Sequence, residues 1–367
     1  MHILANRVDK SFLRHKDEYE SAALRVLRSG WYVLGNEVKS FEKEFSDFNF
    51  GANGGFCAGV ASGLDALIIG IRALGIGKGD EVIVQGNTYI ASVMGITING
   101  ATPIFVEPDV NYQIDVDKIE AAITPHTRAV MVVHLYGEVA DMDRITEICK
   151  RHGFFLIEDC AQAHGAIWRG KKVGTFGDVG CFSFYPTKNI GAFGDAGALI
   201  SNDENIIAKA KVIRNYGSQK HYYNEMVGMN SRLDEIQASL LRVRLKYVDE
   251  ITRERKSIAK KYIDRIHNEK IILPMEQSGS SAVWHQFVVR CAERDKLIKY
   301  LDDNGIDTII HYPIPPHLQT AYKYLGNQIG DYPITEQYAN EVLSIPMYNG
   351  MTDDEQKYVI DVINNFE

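Results

Sequence analysis

Three short segments carry side chains suited to chemistry on a small molecule. The first is FFLIED (154–159), an apolar run ending in two carboxylates. In open α/β sheets ligands bind beyond the carboxyl ends of the strands, so a carboxylate at Asp159 faces a cleft. The competing use of Asp159 is to cap the AQAHGA segment that follows. The second is CFSFYPTKNIGAFGDAGALISN (181–202), where a strand-like run enters a turn carrying Pro186, Lys188, Asn189 and Gly191 before a second strand-like run. Burial on such a turn lowers the pKa of Lys188 and makes its amine a nucleophile, as Schiff-base chemistry requires. Most lysines are simply solvated, and that is the alternative. The third is Ala61-Ser62-Gly63-Leu64-Asp65, ahead of an amphipathic run. Ser62 with Asp65 fits a capping box. Gly63 lets an anion approach the backbone, and the amides and dipole of a helix N-terminus hold a phosphate.

Together these features specify one cofactor. A pyridoxal 5'-phosphate (PLP) site needs a lysine for the carbonyl carbon, a carboxylate for the pyridine nitrogen, a phosphate cradle and a flat side chain against the ring. Tyr89, in QGNTYIAS just after EVIVQ (81–85), supplies the stack.

The elements that must position these groups follow from periodicity. EVIVQ (81–85), TPIFVE (102–107), AVMVVHLY (129–136) and FFLIED read as strands, apolar at consecutive positions as in strands covered on both faces. Leu64, Leu67, Ile68, Ile71 and Leu74 recur at helical spacing, as do Ile119, Ala122 and Ile123 more briefly. The alternation predicts an α/β fold with a mostly parallel sheet. From Lys246 the pattern changes: a long charged helix (246–266), a strand AVWHQFVVRC, a helix RDKLIKYLDDNG, and a strand TIIHYPIPPH broken by prolines. The predicted organisation is a large α/β domain over residues 1–248 and a smaller α+β domain over 249–367, packed without a long linker, with the N-terminal segment able to touch the smaller one.

Composition excludes other classes. The 367 residues suggest about two domains at ~150 residues each. With 40 Lys and Arg against 48 Asp and Glu, the net charge of −8 argues against nucleic-acid binding. The apolar stretch Ala66–Ile76 contains Arg72 and falls short of the ~20 residues that span a bilayer. Ile3-Leu4-Ala5 is too short for a signal-peptide core. The five dispersed cysteines, with no CxxC pair, point to a reduced, cytoplasmic protein without structural zinc. GIGKGD (75–80) has the wrong glycine spacing for a dinucleotide fingerprint, and neither a P-loop nor HExxH is present.

The chain resembles the sugar aminotransferases of the fold-type I PLP superfamily, the DegT/DnrJ/EryC1/StrS family that acts on nucleotide-linked keto-sugars. The resemblance runs from SGWYVLGNEVKSFEKEF (29–45) to EVLSIPMY (341–348). The blocks that carry it are GVASGLDAL, GDEVIVQGNTYIAS, HLYGEVADM, IEDCAQAHGA, SFYPTKNIGAFGDAGA, RNYGS, GMNSRLDEIQA and IHYPIPPHLQ. It implies an aspartate aminotransferase-like fold. It implies Lys188 as the cofactor-bound lysine and proton carrier, Asp159 as partner of the pyridine nitrogen, and Gln162 as ligand of the ring hydroxyl oxygen. Ser183 and the amides of Gly63 and Leu64 become phosphate ligands. Asn230 matches a residue reaching the phosphate of the neighbouring subunit, which implies a homodimer with shared active sites; an ordinary interface or capping asparagine is the alternative.

Two positions depart from the family pattern. Leu64 stands where many relatives have Thr, and Glu138 where many have Gln. The resemblance further implies transamination from L-glutamate by two half-reactions. GDAGA (194–198) in place of a GEGG-like run, with HYPIPPHLQ, is similar to enzymes of dTDP-linked 3-keto-6-deoxyhexoses. Tyr185, His311 and Tyr312 are candidate contacts to the hexose or donor, against local packing. Tyr216 and Tyr222 are candidates to lie on the nucleotide base, against an ordinary half-buried loop. Arg232 is expected in a salt bridge or interface. The alternatives are a 4-keto-sugar aminotransferase of the same family and a non-catalytic PLP-fold regulator.

Overall fold

A computed structural model describes residues 1–220 and 222–367. Its centre is a seven-stranded sheet of β1 (Phe56–Val60), β2 (Glu81–Gln85), β3 (Thr102–Val106), β4 (Thr127–Val133), β5 (Phe155–Asp159), β6 (Val179–Ser183) and β7 (Gly197–Ser201), in the order β1-β7-β6-β5-β4-β2-β3. β6, β5, β4, β2 and β3 run parallel; β7 is antiparallel to both of its neighbours. The run expected at 129–136 leaves the sheet at Val133, and Leu135–Gly137 forms a tight turn instead.

Alternate residues of each strand enter opposite cores. Ile83, Val130, Val132 and Leu156 face one, while Val82, Val84, Ala129, Met131 and Ile157 face the other. This is why the strands read as continuous apolar runs: both faces are covered. The helix Gly63–Ala73 supplies Leu67, Ile69 and Ile71 to the second core.

The long charged run forms the helix Val248–Arg265, which buries Val248, Ile251, Ile258 and Tyr262. With it pack β8 (Phe287–Arg290), β9 (Val342–Ile345) and the helices Arg294–Asp303 and Asp353–Asn364 around a third core. Ile3 joins that core, its backbone bonding Gly305 and Asp307. Tyr338 and Val342 pack in the second core, so apolar contact is continuous between the two parts. The strand expected at 308–317 does not form. Only Ile309 makes a bridge, to Ser344, and Pro316–Leu318 is a short 3-10 turn. Prolines at 313, 315 and 316 supply no N–H to a ladder. No helix among the described residues is long and apolar enough to cross a membrane.

Candidate active site

The carboxyl ends of the parallel strands converge on one region. Asp159 ends β5, between Val133 of β4 and Cys181 of β6, and is only 5% exposed. Its Oδ2 accepts from Ser92 Oγ at 2.7 Å and its Oδ1 from the Ala161 N–H at 3.1 Å. Burial raises the Asp159 pKa; Ser92, Ala161, Lys188 and His134 oppose that shift. Ser92 lies on the helix Ile90–Ile98, and its hydroxyl also meets Thr88 Oγ1 at 2.7 Å. Neither hydroxyl was singled out from sequence. The available signal was their position, just past β2 and beside Tyr89.

Lys188 is half-buried on the turn between β6 and β7, its N–H donating to the Tyr185 carbonyl at 2.8 Å. Burial lowers its amine to about 8, opposed by the Asp159 charge. The two groups are therefore within electrostatic reach of each other. The next residue anchors the turn. Asn189 is buried, donates to the Val283 carbonyl at 3.0 Å and offers its own carbonyl to Arg244 Nε at 3.2 Å. Gly191 is required here, since a Cβ would lie 2.3 Å from the Pro186 carbonyl oxygen.

The helix Gly63–Ala73 starts beside the same turn. Ser62 Oγ accepts from the Asp65 N–H at 3.1 Å, as expected of an N-cap. The reciprocal half of the capping box does not form, because the Asp65 carboxylate accepts instead from Ser231 Oγ at 2.7 Å. A Cβ on Gly63 would stand 2.5 Å from Ser183 Cβ and 3.0 Å from Ser183 Oγ. Helix-terminal amides of Gly63 and Leu64 and the Ser183 hydroxyl thus form one compact donor group.

Gln162 is buried and holds two contacts. Its Oε1 accepts from the Tyr136 N–H at 2.5 Å and its Nε2 donates to Tyr312 Oη at 3.1 Å. The Tyr89 and Tyr312 rings lie 5.0 Å apart at 37°. Tyr89 and Tyr185 are about half exposed. His311 is also brought here, but both ring nitrogens are engaged: Nε2 with Gln286 Nε2 at 2.9 Å and Nδ1 with Ser344 Oγ at 2.8 Å. Burial, then Lys188, lowers its pKa to about 4.

Tyr216 and Asn230 lie on adjoining segments. Asn215 bridges to Asn230, and Tyr216 N–H donates to the Met229 carbonyl. The Arg232 guanidinium lies 5.5 Å from the Tyr216 ring centre and donates to Asn215 Oδ1. Tyr222 and Asn230 are exposed. Ser231 ties these segments to the helix Gly63–Ala73 through Asp65 and the Ala61 N–H.

The sequence profile of the DegT/DnrJ/EryC1/StrS aminotransferase family matches residues 14–364. The chain belongs to that family. It is 49% identical over 355 residues to dTDP-3-amino-3,6-dideoxy-alpha-D-galactopyranose transaminase of Aneurinibacillus thermoaerophilus, covering 96% of each chain. It is 44% identical to dTDP-3-amino-3,4,6-trideoxy-alpha-D-glucose transaminase of Streptomyces venezuelae, over 95% of this chain and 92% of the relative. Among solved structures it superposes on S. venezuelae DesV in complex with a ketimine intermediate, with a TM-score of 0.96 at 42% identity, covering 99% and 98% of the two chains. The protein is a PLP-dependent sugar aminotransferase with the fold-type I architecture.

The residues of this DegT-family chain fit the cofactor. The contact of Gly63 with Ser183 leaves donors, and no Cβ, at the helix N-terminus, which suits a phosphate. A depressed amine and a buried carboxylate held by a hydroxyl suit the other two attachment points.

Proposed function

We propose that this aminotransferase converts a dTDP-linked 3-keto-6-deoxyhexose to the 3-amino sugar, with L-glutamate as donor. The relative at 49% identity, named as the transaminase of such a 3-amino sugar, carries this reading. PLP supplies an electrophilic carbonyl and, once its ring nitrogen is protonated, an electron sink.

The chain's own groups do the rest. The Lys188 amine would hold the cofactor at its carbonyl carbon and, when freed by the donor, would move a proton off the donor α-carbon. Its depressed pKa of about 8 keeps a useful fraction neutral near pH 7. Asp159 would keep the pyridine nitrogen protonated, and Ser92 and the Ala161 amide fix the direction of its oxygens. Gln162 would address the ring hydroxyl oxygen. Ser183, Gly63 and Leu64 would hold the phosphate, with Leu64 offering its N–H alone. Tyr89 would stack on the ring.

Tyr185 and Tyr312 address the hexose or donor. His311 joins them through its ring face or by yielding one of its two internal bonds. Tyr216 and Tyr222 lie against the nucleotide base. Exposed Asn230 reaches the phosphate of a second copy, which makes the working unit a homodimer with shared sites. Five free, buried cysteines fit a cytoplasmic enzyme.

The test is incubation of the PLP-loaded enzyme with glutamate and either 3-keto or 4-keto dTDP-sugars, with the product identified by mass and NMR. Amination at C3 is expected. Amination at C4 alone moves the enzyme to the 4-keto branch of the family, and no amination of either overturns the dTDP-sugar substrate reading.

A further inference from the structure

Glu138, one of the two departures from the family pattern, occupies an unusual place. It follows the Leu135–Gly137 turn and is 8% exposed. Its Oε1 accepts from the Val139 N–H at 2.8 Å, but its Oε2 is buried with no hydrogen-bond partner. It lines a small cavity of about 20 Å³, room for a single water, with Tyr112, Tyr136, Met275, Trp284 and Gln286. A second acceptor lining this cavity, Gln286 Oε1, is likewise buried without a partner. Two orphaned acceptors in one cavity call for a donor between them, since each otherwise carries its full desolvation cost.

The groups facing Glu138 do not supply a positive charge. Lys, Arg and His are absent from the residues lining the cavity. The 274–282 strap brings the Glu276 carboxylate, which disfavours a second charge, and the Ser280 hydroxyl, itself buried without a partner, and the Gln277 N–H, which favour the charged form; neither completes a hydrogen bond to Oε2. Tyr112 and Tyr136 present phenols that burial keeps neutral.

Gln286 connects this cavity to the active site. Its N–H donates to the Tyr136 carbonyl at 3.3 Å, and its Nε2 meets His311 Nε2 at 2.9 Å. With Nε2 of Gln286 donating, neutral His311 accepts there and donates from Nδ1 to Ser344 Oγ. Tyr136 also donates its hydroxyl to the His311 carbonyl and its N–H to Gln162, which bonds Tyr312.

We propose that Glu138 is a positioning residue: its protonated carboxyl donates, directly or through one water, to Gln286 Oε1 and so holds the His311–Tyr312 turn in its working arrangement. When the carboxyl loses its proton, the cavity holds two acceptors with no donor between them, and they repel. The Gln286 amide then turns over to present Nε2 to Glu138 and Oε1 to His311. The imidazole proton must move from Nδ1 to Nε2, and the Ser344 hydroxyl must turn to donate. Burial raises the Glu138 pKa to about 7, which places this change in the working range of the enzyme. The inference rests on the reading of Tyr312 and Gln162 as active-site contacts.

The experiment compares wild-type holoenzyme with Glu138→Gln between pH 6 and pH 8.5, using whichever keto-sugar the enzyme aminates. Gln mimics the protonated carboxyl at every pH. The two proteins should match in kcat/KM at pH 6, and the variant should exceed wild type by roughly tenfold at pH 8.5. A ratio constant within about twofold, or a wild-type advantage at high pH, overturns the proposal. In a Gln286→Leu background, adding Glu138→Gln should change nothing with pH; a surviving pH-dependent gain there excludes the route through Gln286. Melting temperatures without substrate give a second readout. Wild type should lose stability relative to Glu138→Gln as pH rises from about 4.5 through about 7, because the folded carboxyl keeps its proton longer than the unfolded one. Parallel melting curves across that window would also overturn it. An enzyme that aminates only 4-keto sugars defeats the substrate reading while leaving this comparison intact.

Discussion

The proposed cofactor side and the proposed sugar side of this active site are built in different ways. On the cofactor side, Asp159 and Ser183 end strands, Gly63 opens a helix, and Lys188 sits on a turn anchored by buried Asn189; Ser92 fixes Asp159. On the sugar side, Tyr185, Tyr216 and Tyr222 are half exposed or more, on turns and a short hairpin, while Tyr312 sits on a proline-interrupted strap. Groups that handle protons must be oriented to fractions of an ångström, and regular elements do that best. The groups proposed to choose among sugars sit on segments that can change without disturbing the sheet.

This contrast breaks most clearly at Lys188. Lys188→Ala should lower kcat by at least ~10³-fold in single-turnover assays with glutamate, while far-UV circular dichroism stays unchanged. Activity near wild type in that variant would sink the lysine's role. Next in size, Ser92→Ala should lower kcat about tenfold, as expected for ~1–2 kcal/mol from an unmet Asp159 oxygen, with KM for the sugar little changed. Tyr312→Phe should do the reverse. Loss of its bond to Gln162 should raise KM for the sugar threefold to fivefold, for about 1 kcal/mol, with a smaller change in kcat. If Ser92→Ala altered sugar KM more than Tyr312→Phe did, the division between the two sides would fall.

The smallest effect expected is on cofactor capture. Lys188 reacts only as the neutral amine, so the rate at which apoenzyme takes up PLP should climb with pH and reach half its plateau near pH 8. Stopped-flow absorbance reads this directly. A midpoint near 10.5 would mean that burial does not depress the amine.

Much of the cofactor side was legible in the sequence. EVIVQ coincides with β2, FFLIED ends where β5 ends, and the Ser62 cap opens the helix it was expected to open. These signals are local, since strand periodicity, a cap and a turn depend on residues a few positions apart. The sugar side was less legible. Residues 308–317 were expected as a broken strand and form one bridge, because their place is set by contacts to Ser344, Gln286 and Tyr136. The commitment of both His311 nitrogens had no sequence signal at all.

Glu158 and Asp159 mark the boundary between what sequence and tertiary structure each decide. The sequence by itself determined that a buried strand ends in two adjacent carboxylates, and that a lysine follows on a glycine-flanked turn. Only the fold decided what each carboxylate does. Successive strand residues point to opposite faces. Asp159 therefore meets Ser92 and the field of Lys188, whereas Glu158 accepts from the N–H groups of Gly174, Phe176 and Gly177 and pairs with His134. The fold likewise decided that Glu138 lies in a cavity with Gln286, 148 positions further along the chain. Side-chain chemistry is written locally, but its neighbours, and hence its charge state, come from chain segments that only folding brings together.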